Sequence, residues 1–189
     1  MTNDDLAGTT MDAAPVDATT TDAAPVDGAP ELAPGLTWGL KRSFIRYLSS
    51  LPDGAHALGE GASLAYSSIF HFELGDGSTY DPSTGRGVLK FRGQVQLSGH
   101  YNMMFVLIAD PWVEFTDDGV VLTVVDSLTW PDRQQRIVLA ELDRVEPETA
   151  PAGLLWQDVP ARLSARGVFV FNEQYGQGEE MDPVFILLP

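Results

Sequence analysis

Residues 88–100 read VLKFRGQVQLSGH. Leu89, Phe91, Val95 and Leu97 fall on one side of a two-residue period, and Lys90, Arg92, Gln94, Gln96 and Ser98 fall on the other. Successive side chains of an extended chain point to opposite faces, so this is a strand with one apolar and one wet face, ending at Gly99-His100. The same period runs through the neighbouring segments. Phe70, Phe72 and Leu74 alternate with Ile69, His71 and Glu73, and the turn-rich GDGSTYDPSTGRG (75–87) separates that strand from the first. MFVLIAD (104–110) is continuously apolar and is expected to be a central strand. WVEF (112–115) and VVLTVV (120–125) flank TDDG, a short hairpin loop with glycine at its end. QQRIVLAELDRV (134–145) alternates less cleanly, and GVFVF (167–171) and PVFILL (183–188) complete the set. The expectation is a mainly β fold of about eight to ten strands, an antiparallel sandwich or partly open barrel, with one short helix near the start.

That helix is expected in TWGLKRSFIRY (37–47), where Leu40, Phe44 and Tyr47 recur at helical spacing. Thr37 serves as its N-cap, it runs to Ser49 or Ser50, and Pro52, Asp53 and Gly54 stop it. Residues 55–65, rich in Gly and Ala, are expected to be a loop. An apolar stripe that carries a tyrosine raises a question of partners, because a buried phenol must find something for its hydroxyl.

The first 34 residues are a different kind of sequence. DAAPVD occurs at 12–17 and again at 22–27, in a tract of Ala, Thr, Pro and Asp. Asp4, Asp5, Asp12, Asp17, Asp22, Asp27 and Glu31 lie there with no Lys or Arg, so residues 1–34 are expected to be a disordered acidic tail and residues 35–189 a folded domain. The whole chain of 189 residues carries −16; without the seven tail acids, 20 acids face 11 bases and the folded part carries −9. Nucleic acid and anionic membrane surfaces reward a basic face, so neither is an expected partner. There is no cysteine, which excludes disulfides, thiolate metal sites and cysteine nucleophiles. No apolar run is long enough to span a bilayer, and MTNDDLAGTTMDAAP has the form of no secretory signal.

Few residues offer chemistry. GxSxG, HExxH, P-loop and GxGxxG patterns are absent, and GDGSTYD misses the EF-hand spacing. Of three histidines, His71 alternates with large apolar residues, His56 lies among glycines and alanines, and His100 sits at a bend after Ser98-Gly99. A lone histidine at such a bend is more often a satisfied turn residue than a functional one.

Taken together, WGLKRSFIRY (38–47), YDPSTGRGVLKFRGQVQLSGH (80–100), DPWVEF (110–115) and YGQGEEMDPV (175–184) resemble, in order, the motifs of the HtaA-type haem-binding domain of actinobacterial haem uptake. The resemblance covers 36–188. It implies haem (haem b) as cofactor, bound and passed on in iron acquisition, with no catalytic turnover. It implies Tyr47 as the axial ligand of the iron, His100 as its support, Ser43 as a propionate contact and Phe171 as an aromatic against the porphyrin; Arg42 and Arg46 are near enough in sequence to pair with propionates. It implies haem-donor proteins or a haem transporter as further partners, and a cell-surface or secreted place of work. One departure falls beside the site. Two residues after the Gly-His the family commonly has glycine, and this chain has Asn102, followed by Met103 and Met104.

The chemistry stands on its own terms. A phenolate is a hard anionic ligand for ferric iron and a known axial ligand of haem. A free phenol has a pKa near ~10, so it needs a neighbouring group that favours its deprotonated form. Two other readings remain open at this stage. One is a β-sandwich adhesion or carbohydrate-binding module, using some of the four tryptophans for sugar stacking; the other is a haem enzyme.

Overall fold

The computed structural model describes residues 33–66 and 68–189. The acidic segment expected over 1–34 lies, but for its last two residues, outside them. Thirteen strands follow in order: β1 (Gly35–Trp38), β2 (Ala55–Gly59), β3 (Ala62–Tyr66), β4 (Ile69–Leu74), β5 (Gly87–Arg92), β6 (Gln94–Gly99), β7 (Met104–Ala109), β8 (Trp112–Phe115), β9 (Val120–Val125), β10 (Arg136–Leu142), β11 (Glu148–Ala150), β12 (Gly153–Leu163) and β13 (Glu180–Leu188). Helix α1 (Arg42–Ser50) follows β1, and a single helical turn, α2 (Gly167–Val170), precedes β13.

Eight strands form a ring in the order β1-β13-β12-β10-β9-β8-β5-β4, and β1 closes it by pairing with both β13 and β4. Every pairing is antiparallel, as expected, and the closed ring makes the architecture a barrel, where a sandwich or a partly open barrel was expected. A barrel of about eight strands is just wide enough for side chains to fill, and this one is filled. Leu36 and Trp38 stand opposite Phe72 and Phe70 on one side and Ile186 and Val184 on the other, all buried. Leu89, Val113 and Leu122 continue the layer across β5, β8 and β9.

The stretch 88–100 contains two strands rather than one. β5 runs in the barrel, passes Gly93 and continues as β6; β7 returns beside it and passes Asp110-Pro111 into β8. The crossing is pinned where Asp110 N–H donates to the Gly93 carbonyl at 2.8 Å and Asp110 Oδ1 accepts from Gly93 N–H at 3.0 Å. The outer half of this long hairpin, joined by β2, makes a separate three-stranded sheet in the order β2-β6-β7.

Several expectations are corrected. Residues 37–38 belong to β1, and α1 starts at Arg42, because Trp38 packs inside the barrel and its indole N–H donates to the Asp182 carbonyl at 2.6 Å. Thr37 caps nothing; its hydroxyl bonds His71 Nδ1 at 3.0 Å, and Asp182 Oδ1 takes up the Arg42 N–H at the helix start. Residues 55–65 are mostly strand, β2 and β3, whose small side chains hide the period. β7 is an edge strand of its sheet rather than a central one. It reads as uniformly apolar because Val106 and Ile108 face the main core while Leu107 and Ala109 pack with Val125 and Trp130. GVFVF is the helical turn α2, not a strand: Val168 N–H bonds the Ser164 carbonyl and Gly167 N–H bonds Ser164 Oγ. The uneven pattern of β10 has a cause, a register shift between Val138 and Ala140.

His71 is buried, and desolvation holds its pKa below the ordinary 6.5 against an opposing pull from Glu73. The unfolded chain therefore binds the proton more readily than the fold does. Stability from this group is full above pH 6.5 and is lost as pH falls toward the lower folded value. Urea midpoints measured at neutral pH and at about pH 5 should fall between the two, and His71→Gln should flatten that segment of the profile.

Candidate functional site

α1 buries Phe44, Ile45 and Leu48 against the core. Tyr47 stands about 60° around the helix from Phe44 and about 100° from Leu48, at the edge of that stripe, and is 46% exposed. The expected inward-facing tyrosine is thus a rim tyrosine. Leu40, expected in the same stripe, lies before the helix, in a bend with φ 58°.

The phenol nevertheless has a partner. Tyr47 Oη and His100 Nε2 are 2.6 Å apart, with ring centroids 6.0 Å apart. The phenol donates when Nε2 is bare, and Nε2–H donates once the phenol is deprotonated. His100 begins the tip of the outer hairpin, between the last β6–β7 pair Gly99–Met104. Met103 N–H closes the tip on the His100 carbonyl at 3.1 Å. His100, Tyr101 and Asn102 all hold left-handed backbone, with φ of 51°, 57° and 64°. Each such residue other than glycine costs about 1–2 kcal/mol, least for asparagine. Asn102 is therefore the side chain best suited to replace the glycine expected at this turn.

Phenol and imidazole open into a cavity of about 320 Å³, lined also by Met103, Met104, Asn172 and Gln174. Met103 in this lining is 78% exposed, and Tyr101, next along the tip from His100, is 90% exposed. Ser43 is exposed one turn before Tyr47, on the same side of α1 but outside the lining. Arg46 is exposed beside Tyr47, whereas Arg42 is directed to Asp182 at 3.5 Å. Phe171 is fully buried, edge-on to Phe44 at 5.5 Å and to Tyr175 at 6.0 Å, so it supports α1 from behind rather than lining the cavity. Sequence reasoning missed Asn172 and Gln174. Reading 167–171 as a strand hid the turn after α2, where Asn172 and Glu173 hold φ of 51° and 57°.

His56 and His71 do not join this site. His56 lies on β2 with its ring 6.4 Å from Phe70, and His71 is spent on Thr37. A second cavity of about 350 Å³ lies beside Leu128 and Phe169, but its carboxylate, Asp126, caps Leu128 N–H and faces Arg166 at 3.8 Å. Among the described residues, no helix is long and apolar enough to cross a membrane.

The arrangement defines a class: an antiparallel barrel domain, filled inside, that presents a tyrosine–histidine pair to an open cavity on its outside. The chain belongs to the HtaA family, whose sequence model, described as Htaa, matches residues 34–186. Its fold is similar to the crystal structure of the C-terminal domain of HtaA from Corynebacterium glutamicum, at 22% identity and TM-score 0.64, covering 84% of this chain and 100% of that one. It is similar to the N-terminal domain of the same protein, at 22% identity and TM-score 0.63, covering 84% and 99%. It is also similar to the heme-binding protein HtaB of that organism, at 21% identity and TM-score 0.62, covering 80% and 90%. No curated protein matches the chain at a significant level.

The turn gives a direct check on its backbone. Asn102→Gly should leave the denaturation midpoint nearly unchanged, within about 0.5 kcal/mol, since both residues tolerate left-handed φ. Asn102→Val, β-branched at φ 64°, should lower stability by about 1–2 kcal/mol in the same urea titration.

Proposed function

We propose that this domain binds haem through Tyr47 and passes it on, with His100 supporting the phenol oxygen and no turnover of its own. The observation that carries the reading is the 2.6 Å contact between Tyr47 Oη and His100 Nε2 at the mouth of a cavity. Membership of the HtaA family and the likeness to a heme-binding protein support it.

The residues present fit the group. A phenol on a rigid helix supplies one hard oxygen, and the neighbouring imidazole offers an N–H that favours the phenolate. Ferric iron, when bound, stabilises the deprotonated phenol by its own charge. Met103 and Met104 supply polarisable apolar surface for a flat macrocycle. Ser43 and Arg46, on the exposed side of α1, are the groups placed to meet propionates, and Phe171 acts indirectly by backing Phe44. A single anionic ligand in an open cleft suits a carrier that must also release. Its further partners are then a haem donor and a haem acceptor, such as a transporter.

The tryptophans do not favour the carbohydrate reading. Trp38 and Trp156 are buried, while Trp112 and Trp130 are each stacked by an arginine, Arg136 at 3.8 Å and Arg133 at 4.8 Å.

A haemin titration followed in the visible spectrum tests the proposal. The native chain should give a saturable one-to-one Soret change that Tyr47→Phe abolishes. His100→Ala should keep the signal but weaken binding roughly 10- to 100-fold. A native chain with no saturable change would end the haem reading.

A further inference from the structure

His100 reaches Tyr47 from a hairpin tip whose conformation is unfavourable at three consecutive residues, His100, Tyr101 and Asn102. Inside the tip, only the Met103 N–H to His100 carbonyl bond offsets this among the described contacts. The rest of the hold comes from α1 and the turn after it. Asp53 Oδ2 accepts the Tyr101 backbone N–H at 2.5 Å. Helix and turn thus grip the tip at two points, Tyr47 on the His100 ring and Asp53 on the next peptide.

Between those points the surfaces are in close contact. A Cβ at Gly99 would lie 2.7 Å from a Leu51 methyl and 3.3 Å from a Leu48 methyl, so the absence of a side chain lets the hairpin end approach the helix. Gly54 fixes the other side. A Cβ there would lie 1.9 Å from the Leu48 carbonyl oxygen, so the chain can fold back under the helix immediately after Asp53 only with glycine in that place. The carboxylate is therefore delivered to the tip by a turn with little freedom. An ionised acceptor makes the stronger bond, and the Tyr101 amide, helped by that of His100, keeps Asp53 ionised below the usual carboxylate range despite some desolvation.

We propose that Asp53 is the positioning residue of the tyrosine–histidine pair: its bond to the Tyr101 amide holds the left-handed tip so that His100 Nε2 stays on Tyr47 Oη. This deepens the haem reading and rests on it for its consequence, though the geometry it describes belongs to the ligand-free chain. Asp53 lies outside the cavity lining and acts through His100.

The experiment uses the full chain in two arms. In the ligand-free protein, Asp53→Ala should speed hydrogen exchange of the Tyr101 amide and move the His100 ring resonances toward the positions they take in Tyr47→Phe. In the haemin-loaded protein, Asp53→Ala should release haem to a scavenging apoprotein roughly tenfold faster, and should add nothing when His100 is already alanine. Asp53→Asn, which keeps the side-chain shape, serves should the alanine variant not fold, with the same directions expected. Unmoved His100 resonances in the ligand-free chain overturn the proposal. So does a release rate accelerated equally with and without His100, since Asp53 would then act elsewhere. If the native chain shows no saturable Soret change, the haem reading fails on its own, and the ligand-free arm still decides the role of Asp53.

Discussion

The site depends on four residues, Gly35–Trp38, that close the barrel. β1 is hydrogen-bonded to β4 on one edge and to β13 on the other, so its position is fixed from both sides. Trp38 ends it inside the core, with the indole N–H bonded to Asp182. Two more bonds from the same corner of β13 then aim the chain. Asp182 N–H donates to the Leu40 carbonyl at 2.9 Å, and Asp182 Oδ1 accepts the first amide of α1. Nine residues of helix are too few to stand alone in water. α1 holds its place because its start is tied to the closing strand and its buried stripe packs on the core, with Phe171 behind Phe44. Tyr47 inherits that rigidity.

A filled barrel also explains why the site is outside it. Trp38, Trp156, Phe70, Phe72 and Phe91 are almost wholly buried and occupy the ring with side chains. The concavity that holds the tyrosine–histidine pair lies between the barrel's outer attachments: the hairpin tip, α1 and the turn after α2. The hairpin brings His100 there because β5 and β8 extend beyond the barrel as β6 and β7, bent at Gly93 and Asp110. A rigid core thus carries a site whose walls come from three separate segments of chain, one of them a turn under backbone strain. Such a turn persists only where its surroundings over-determine it.

The period-two strands of the middle of the chain were legible because each has one wet face, and Leu89, Phe91, Val95 and Leu97 are all buried as the pattern implies. The misreadings have local causes. β12 does not announce itself, since Pro160 and register shifts on both sides of Val159 break its alternation. α2 is made of β-formers, Val168, Phe169 and Val170, overridden by capping from Ser164 and packing. The Tyr47–His100 pair was legible only through the resemblance, because a separation of 53 residues leaves no trace in any local period. Asn172 and Gln174 give no signal in the sequence, because the β-formers of 167–171 hide the helical turn that leads to them. The scattered motifs do converge in space: the Trp38–Lys41 segment meets the 179–182 segment, through Asp182 and through Lys41 to Glu179 at 2.7 Å.

Electrostatics decides which way an anionic ligand can lie. Residues 35–189 carry −9, a poor host for a dianionic molecule approached from any arbitrary direction, although salt screens much of this beyond about 8–10 Å. Three of their eleven bases, Lys41, Arg42 and Arg46, fall within six residues of α1 and its approach. Lys41 is committed to Glu179 and Arg42 to Asp182. Among the described residues Arg46 has no carboxylate within salt-bridge distance, and it stands beside Tyr47 on the exposed side of the helix. On the proposed reading, the acid end of the ligand is therefore drawn toward α1 and its apolar edge toward Met103 and Met104. Coordination and apolar contact, rather than long-range attraction, then supply the affinity. A site built this way gains little from charge when it captures its ligand, and little charge holds the ligand back when it leaves.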